Sequence, residues 1–84
     1  MAKLLCKPEE IEVISGADGV PISIIRRGRL QRVTSIYQRW RTAGEWWQQE
    51  IARDYFRIET GGGLVGDIYR DLKSGRWYLS RILD

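Results

Sequence analysis

The chain has 84 residues, 14 lysines and arginines against 11 aspartates and glutamates, a net charge of +3, a single cysteine and no histidine. That length supports one thin-cored domain, and the composition removes the commonest general base and metal ligand, every histidine-dependent triad, and any internal disulfide or paired-cysteine zinc site. No apolar run reaches the ~18 residues that span a bilayer, and the stretch from Met1 to Pro8 is too poor in apolar residues for a signal peptide, so a cytoplasmic protein with no membrane partner is expected.

No repeat, linker or low-complexity tract divides the chain, so residues 1–84 are read as one domain with a loosely ordered segment at 1–8. Breakers recur at short intervals, at Pro8, Gly16-Ala17-Asp18-Gly19, Pro21, Gly28, Gly44, Gly61-Gly62-Gly63, Gly66 and Gly75, and the runs between them are rich in Ile, Val, Tyr, Trp and Thr. Regular turn signals around such runs predict a small sheet or barrel. Ile11 to Ser15 reads as a first strand, Ala17-Asp18-Gly19 as a turn, and Pro21 as a strand start or an edge position. Ile22 to Arg27 is a second strand, with Gly28 at a tight hairpin tip.

The run from Arg29 to Arg41 does not alternate cleanly. Leu30, Val33, Ile36, Tyr37 and Trp40 also match one face of a helix. Their β-branched and aromatic types favour a long strand with a bulge that switches the inward face between Val33 and Ile36. The connection from Thr42 to Ile51 has room for a short helical turn. Beyond it the alternation is regular. Phe56, Ile58 and Thr60 fall on one face of a strand and Tyr55, Arg57 and Glu59 on the other. Residues 64–71 and 76–83 read as two further strands. The expected fold is therefore all-β, a five- or six-stranded antiparallel meander forming a strongly curved sheet or small barrel.

No enzyme signature emerges. Glu9, Glu10 and Glu12 read as a solvated edge, and Gly61-Gly62-Gly63-Leu64-Val65-Gly66 lacks the Lys-Ser/Thr of a phosphate loop, so it reads as a hairpin turn. Neither a cofactor nor a metal is expected.

Two features point to binding. Six arginines lie between Arg26 and Arg41 with no acid among them. Arginine presents a planar fork of donors suited to phosphate, so Arg27, Arg29, Arg32, Arg39 and Arg41 are the candidate nucleic-acid contacts. The plainer reading is a solvated strand face with some arginines paired to Asp54, Glu59, Asp67 or Asp71. The second feature is the tryptophan set. Trp40 and Trp77 are expected in the core. Adjacent Trp46 and Trp47 point to opposite faces of a strand, so one of them is a candidate anchor for a protein partner or a cover for the barrel mouth.

The strings Trp40-Arg41, Gly44-Glu45-Trp46-Trp47, Arg53-Asp54-Tyr55-Phe56-Arg57-Ile58 and Gly75-Arg76-Trp77-Tyr78-Leu79-Ser80-Arg81-Ile82-Leu83-Asp84 carry a resemblance. Together they resemble a small bacterial domain family of unknown function, whose members occur alone or beside, or fused to, Y-family-polymerase-like mutagenesis proteins. Leu83 departs from the aromatic residue usual before the final aspartate. The resemblance implies a bacterial cytoplasmic setting and an accessory role in DNA repair, and it transfers no catalytic residue. The leading expectation is a non-catalytic accessory nucleic-acid-binding module. The alternative is a protein-interaction module, for a partner such as a DNA-repair protein, that uses Trp46 and Trp47 or an open sheet edge near Pro21.

Overall fold

The computed structural model describes the backbone of residues 3–46 and 49–83 and the side chains of residues 7–42 and 52–83. All regular structure among them is β. Six strands run in chain order, β1 (Lys3–Ser15), β2 (Pro21–Arg26), β3 (Arg29–Trp46), β4 (Gln49–Thr60), β5 (Val65–Asp71) and β6 (Trp77–Ile82). Each is antiparallel to the next, and β6 pairs back onto β1 to close the barrel. Closure leaves no free strand at either end of the meander.

Thr42–Trp46 and Gln49–Ile51 are strand, not the helical turn expected between 42 and 51. They pair from Thr42↔Arg53 out to Trp46↔Gln49. A turn of helix here would forfeit those ladder hydrogen bonds, and tertiary pairing outweighs the local ambiguity. Pro21 is not at an open edge either. It is buried at the first position of β2, opposite Ser15, and β2 lies between β1 and β3. At a strand's first position the missing N–H costs little.

The interior is filled by Ile11, Ile24, Phe56, Ile58, Ile68, Trp77 and Leu79, with Val13, Val20, Val33, Leu64 and Ile82 packed against them. Phe56 and Trp77 meet as a tilted pair with centroids 5.7 Å apart. Phe56 and Ile58 of β4 and Trp77 and Leu79 of β6 fall at alternating positions, as the period-2 pattern predicts, while Ile11 of β1, Ile24 of β2 and Ile68 of β5 complete the interior.

Two irregularities in β3 decide which of its side chains face inward. The register passes from Val33↔Thr60 to Ser35↔Glu59, skipping Thr34, so Val33 and Ile36 both lie on the side of β4's core residues. This is the bulge expected between them. A second irregularity, between Ile36 and Gln38, skips Tyr37 and turns the parity back. Trp40 consequently stands opposite Tyr55 on the outer wall and is absent from the core, contrary to expectation, whereas Trp77 is buried within it. A third irregularity passes from Asp67↔Arg81 to Ile68↔Leu79, skipping Ser80. It sends Ile82 inward and Arg81 outward.

Candidate functional site

The bulges align one aromatic residue from each of four strands on the outer wall. The register runs Trp40↔Tyr55, Tyr55↔Tyr69 and Tyr69↔Tyr78. Trp40 and Tyr55 are stacked, 5.1 Å between centroids and 5° between planes. Tyr55 and Tyr69 are 5.0 Å apart and Tyr69 and Tyr78 are 5.2 Å apart. Strand spacing is about 4.8 Å, so rings at matched positions stack along the sheet.

Arginines cover this row. The Arg53 guanidinium lies 4.6 Å from the Tyr69 centroid, and its Nη1 donates to Tyr55 Oη at 3.3 Å. Arg57 lies 5.8 Å from the Trp40 centroid and donates to both Asp67 carboxylate oxygens, at 2.8 and 3.2 Å. Tyr69 is thereby buried although it faces outward, and desolvation pushes its phenol pKa up. A concavity of about 310 Å³ opens over the row, lined by Pro8, by the rings of Trp40, Tyr55 and Tyr69, and by Arg53, Arg57, Asp67, Ser80 and Arg81.

The arginines singled out in the sequence do not converge on one pocket. Arg27 and Arg29 flank the β2–β3 turn, Arg32 lies opposite Ser23, and Arg39 and Arg41 lie opposite Phe56 and Asp54. Arg27 is 3.8 Å from Glu9, whose main partner is Arg26 at 2.9 Å. The hydrogen bond from Arg26 holds the Glu9 carboxyl below its usual range. Arg39 grips Asp54 through two hydrogen bonds, at 3.3 and 2.9 Å, and Arg41 approaches the same carboxylate at 3.5 Å. The Arg39 hydrogen bond depresses the Asp54 pKa most, against the opposing effect of burial. Among the described residues, Arg29 and Arg32 form no ion pair.

On its side away from β4, β3 is paired with β2 only from Arg29 to Arg32. Beyond that point, among the described residues, it has no partner on that side. Trp40 therefore ends the aromatic row at an open strand edge, and its chain neighbours Arg39 and Arg41 leave from the opposite face of β3, where Arg39 lies 5.0 Å over the Phe56 ring. At the other end Tyr78 is paired with Glu10 of β1.

Sequence reasoning missed Arg53, Arg81 and the three tyrosines of the row. A signal for Arg81 exists, since the apolar spacing Trp77, Leu79, Ile82 breaks period 2 at Ser80. The side chain of Trp46 and all of Trp47, the candidate protein anchors, lie outside the described residues. Among the described residues, no group of three His, Cys, Asp or Glu side chains is arranged to hold a metal.

Fold and site define a class, small closed antiparallel β-barrels with an arginine-flanked aromatic row on the outer wall. Within it, the chain belongs to the family described as a domain of unknown function, DUF6504, which it matches over residues 4–84. No curated protein and no solved structure matches the chain.

Proposed function

We propose that this domain is a non-catalytic module that binds single-stranded nucleic acid along the open edge of β3. The observation that carries the proposal is the position of Trp40, the last ring of a four-ring row, at an unpaired strand edge that carries Arg39 and Arg41 on its other face. A base stacked on Trp40 lengthens the row by one ring, and such base–aromatic stacking is worth about 1–3 kcal/mol. Arg39 and Arg41 share the carboxylate of Asp54, and Asp18 lies near enough to act on Arg39, so Arg41, 60% exposed, is the cation of this group most open to a phosphate at the edge. The opposite end of the row carries Glu10, which repels phosphate. Binding is therefore directed to the β3 end.

The remaining arginines fit the same geometry. From Arg29 to Arg41 the strand extends up to about 40 Å at ~3.3 Å per residue, too long for one pocket but matched to an extended backbone. An accessory place in DNA repair, which the family resemblance implies, is part of this proposal. The rival, capture of a protein strand by the same edge, would use the regular stretch 38–46 beyond the irregularities at Thr34 and Tyr37, and it predicts binding that salt and the loss of Arg39 and Arg41 leave unchanged.

Fluorescence anisotropy with a labelled oligothymidylate tests the proposal. Binding is expected at ~50 mM salt, with a log–log salt slope of about −3 for four phosphate contacts. The double variant Arg39→Gln/Arg41→Gln flattens the slope to about −1.5. Trp40→Ala weakens binding about tenfold and leaves the slope unchanged. Absence of binding at ~50 mM salt refutes the proposal.

A further inference from the structure

The concavity over the aromatic row has charges that the edge-binding proposal does not use. Arg57 is one of four charged residues lining it, and its charge is cancelled by the buried Asp67 carboxylate, which it grips through two hydrogen bonds. Arg53 and Arg81 remain. Neither pairs with a carboxylate among the described residues. Asp71 is opposite Arg53 in register, yet its Oδ1 accepts the backbone N–H groups of Lys73 and Ser74 in the β5–β6 turn, at 2.9 and 3.4 Å. Arg81 is opposite Asp67, whose carboxylate is taken by Arg57. Two arginines without carboxylate partners therefore share one small concavity with the rings of Trp40, Tyr55 and Tyr69 and with Pro8.

That combination selects a ligand class. Trp40, Tyr55 and Pro8 offer apolar contact to a flat group, Tyr69 being covered by Arg53, and the two guanidinium forks beside them favour an anion. A volume of about 310 Å³ is at the small end for a ligand site and matches a single small unit. We infer that the outer-wall concavity is a binding site for one nucleoside monophosphate unit, with the base against the aromatic row and the phosphate between Arg53 and Arg81. The unit comes either from a free mononucleotide or from the 5′-phosphorylated end of a strand. Strand binding at the β3 edge shares Trp40 with this site but uses neither Arg53 nor Arg81.

Backbone-amide NMR titration of the full chain tests it, with uridine monophosphate, uridine, inorganic phosphate, and a short oligothymidylate with and without a 5′-phosphate as probes. The monophosphate is expected to give saturable shifts at Arg53, Tyr55, Tyr69 and Arg81, with uridine and phosphate each about tenfold weaker. Arg53→Gln and Arg81→Gln each weaken the monophosphate about tenfold, whereas Lys73→Gln, in the exposed β5–β6 turn, has no effect. If the 5′-phosphorylated oligonucleotide moves these amides and its 5′-hydroxyl counterpart does not, the site holds a strand end. If only the free monophosphate moves them, it holds a mononucleotide. Either result supports the site. Absence of saturable shifts with both phosphorylated probes, or equal binding by the wild type and both glutamine variants, overturns it. The edge proposal is read separately, from the salt slope of the Arg39→Gln/Arg41→Gln variant.

Discussion

Gly66 is where a single methyl group tests the packing that places the aromatic row. A Cβ built on Gly66 would lie 2.7 Å from the carbonyl oxygen of Arg81 and 3.4 Å from Leu79 Cδ1. Backbone cannot move aside as a flexible side chain can, so Gly66→Ala must push β5 away from β6 beside the irregularity at Ser80. Overpacking of this kind costs about 2 kcal/mol. For a domain of this size that lowers Tm by about 8–16 °C and removes a large share of the total stability. Gly61→Ala is the control. Its nearest neighbours are Thr34 Cγ2 at 3.8 Å and the Arg32 carbonyl at 3.9 Å, an ordinary contact, and a change within about 0.5 kcal/mol is expected. Urea unfolding followed by tryptophan fluorescence reads both, with the midpoint moving and the slope constant. Equal midpoints for the two variants would refute the close approach of β5 to β6, and with it the register that sets Tyr69 against Tyr78 and turns Arg81 outward.

Acid should destabilise the fold over a defined range. Asp54 and Glu9 have folded pKa values depressed by hydrogen bonds from Arg39 and Arg26, so their contribution is complete above the unfolded pKa and is lost as pH falls through the folded one. The urea midpoint is therefore expected to be flat from pH 5 to 7 in a chain without histidine and to fall below about pH 4. Asp54→Asn should lower the midpoint at neutral pH and shrink the acid-induced fall, and an unchanged fall would contradict the role given to this carboxylate. At the β2–β3 turn, Arg27 adopts a φ of 52°, in the left-handed region where asparagine is better tolerated. Its ion pair with Glu9 is long and its side chain 76% exposed, so it contributes little. Arg27→Asn is expected to stabilise the domain by about 0.5–1 kcal/mol, and a lower thermal midpoint would show that the ion pair outweighs the strain.

The parts of the fold that were legible in the sequence are those written in local alternation. Phe56, Ile58 and Thr60 against Tyr55, Arg57 and Glu59 announce both faces of β4. Val33 and Ile36, apolar at odd spacing, announce the first bulge of β3. The second bulge has no such mark, because Ile36 and Tyr37 are both large and each is a plausible inward residue. One unseen residue of slip was enough to put Trp40 on the wrong side. Barrel closure depends on pairing Lys3 with Ile82 across almost the whole chain, which leaves no local trace. The arginine density of β3 was visible, and so was pairing to a carboxylate such as Asp54, but not which arginines Asp54 would take. Asp54 comes from the partner strand, and only the register of β3 on β4 brings it between Arg39 and Arg41. The aromatic row is harder still to read, since it exists only when four strands are in register together.

In the proposed mode of strand binding, Trp40 is the ring on which a base stacks. Intermolecular NOEs between tryptophan indole protons and the base protons of a bound oligothymidylate test this directly. The expected result is contacts from Trp40 and none from Trp77, which lies inside the barrel. Saturable binding without a Trp40 contact would contradict it.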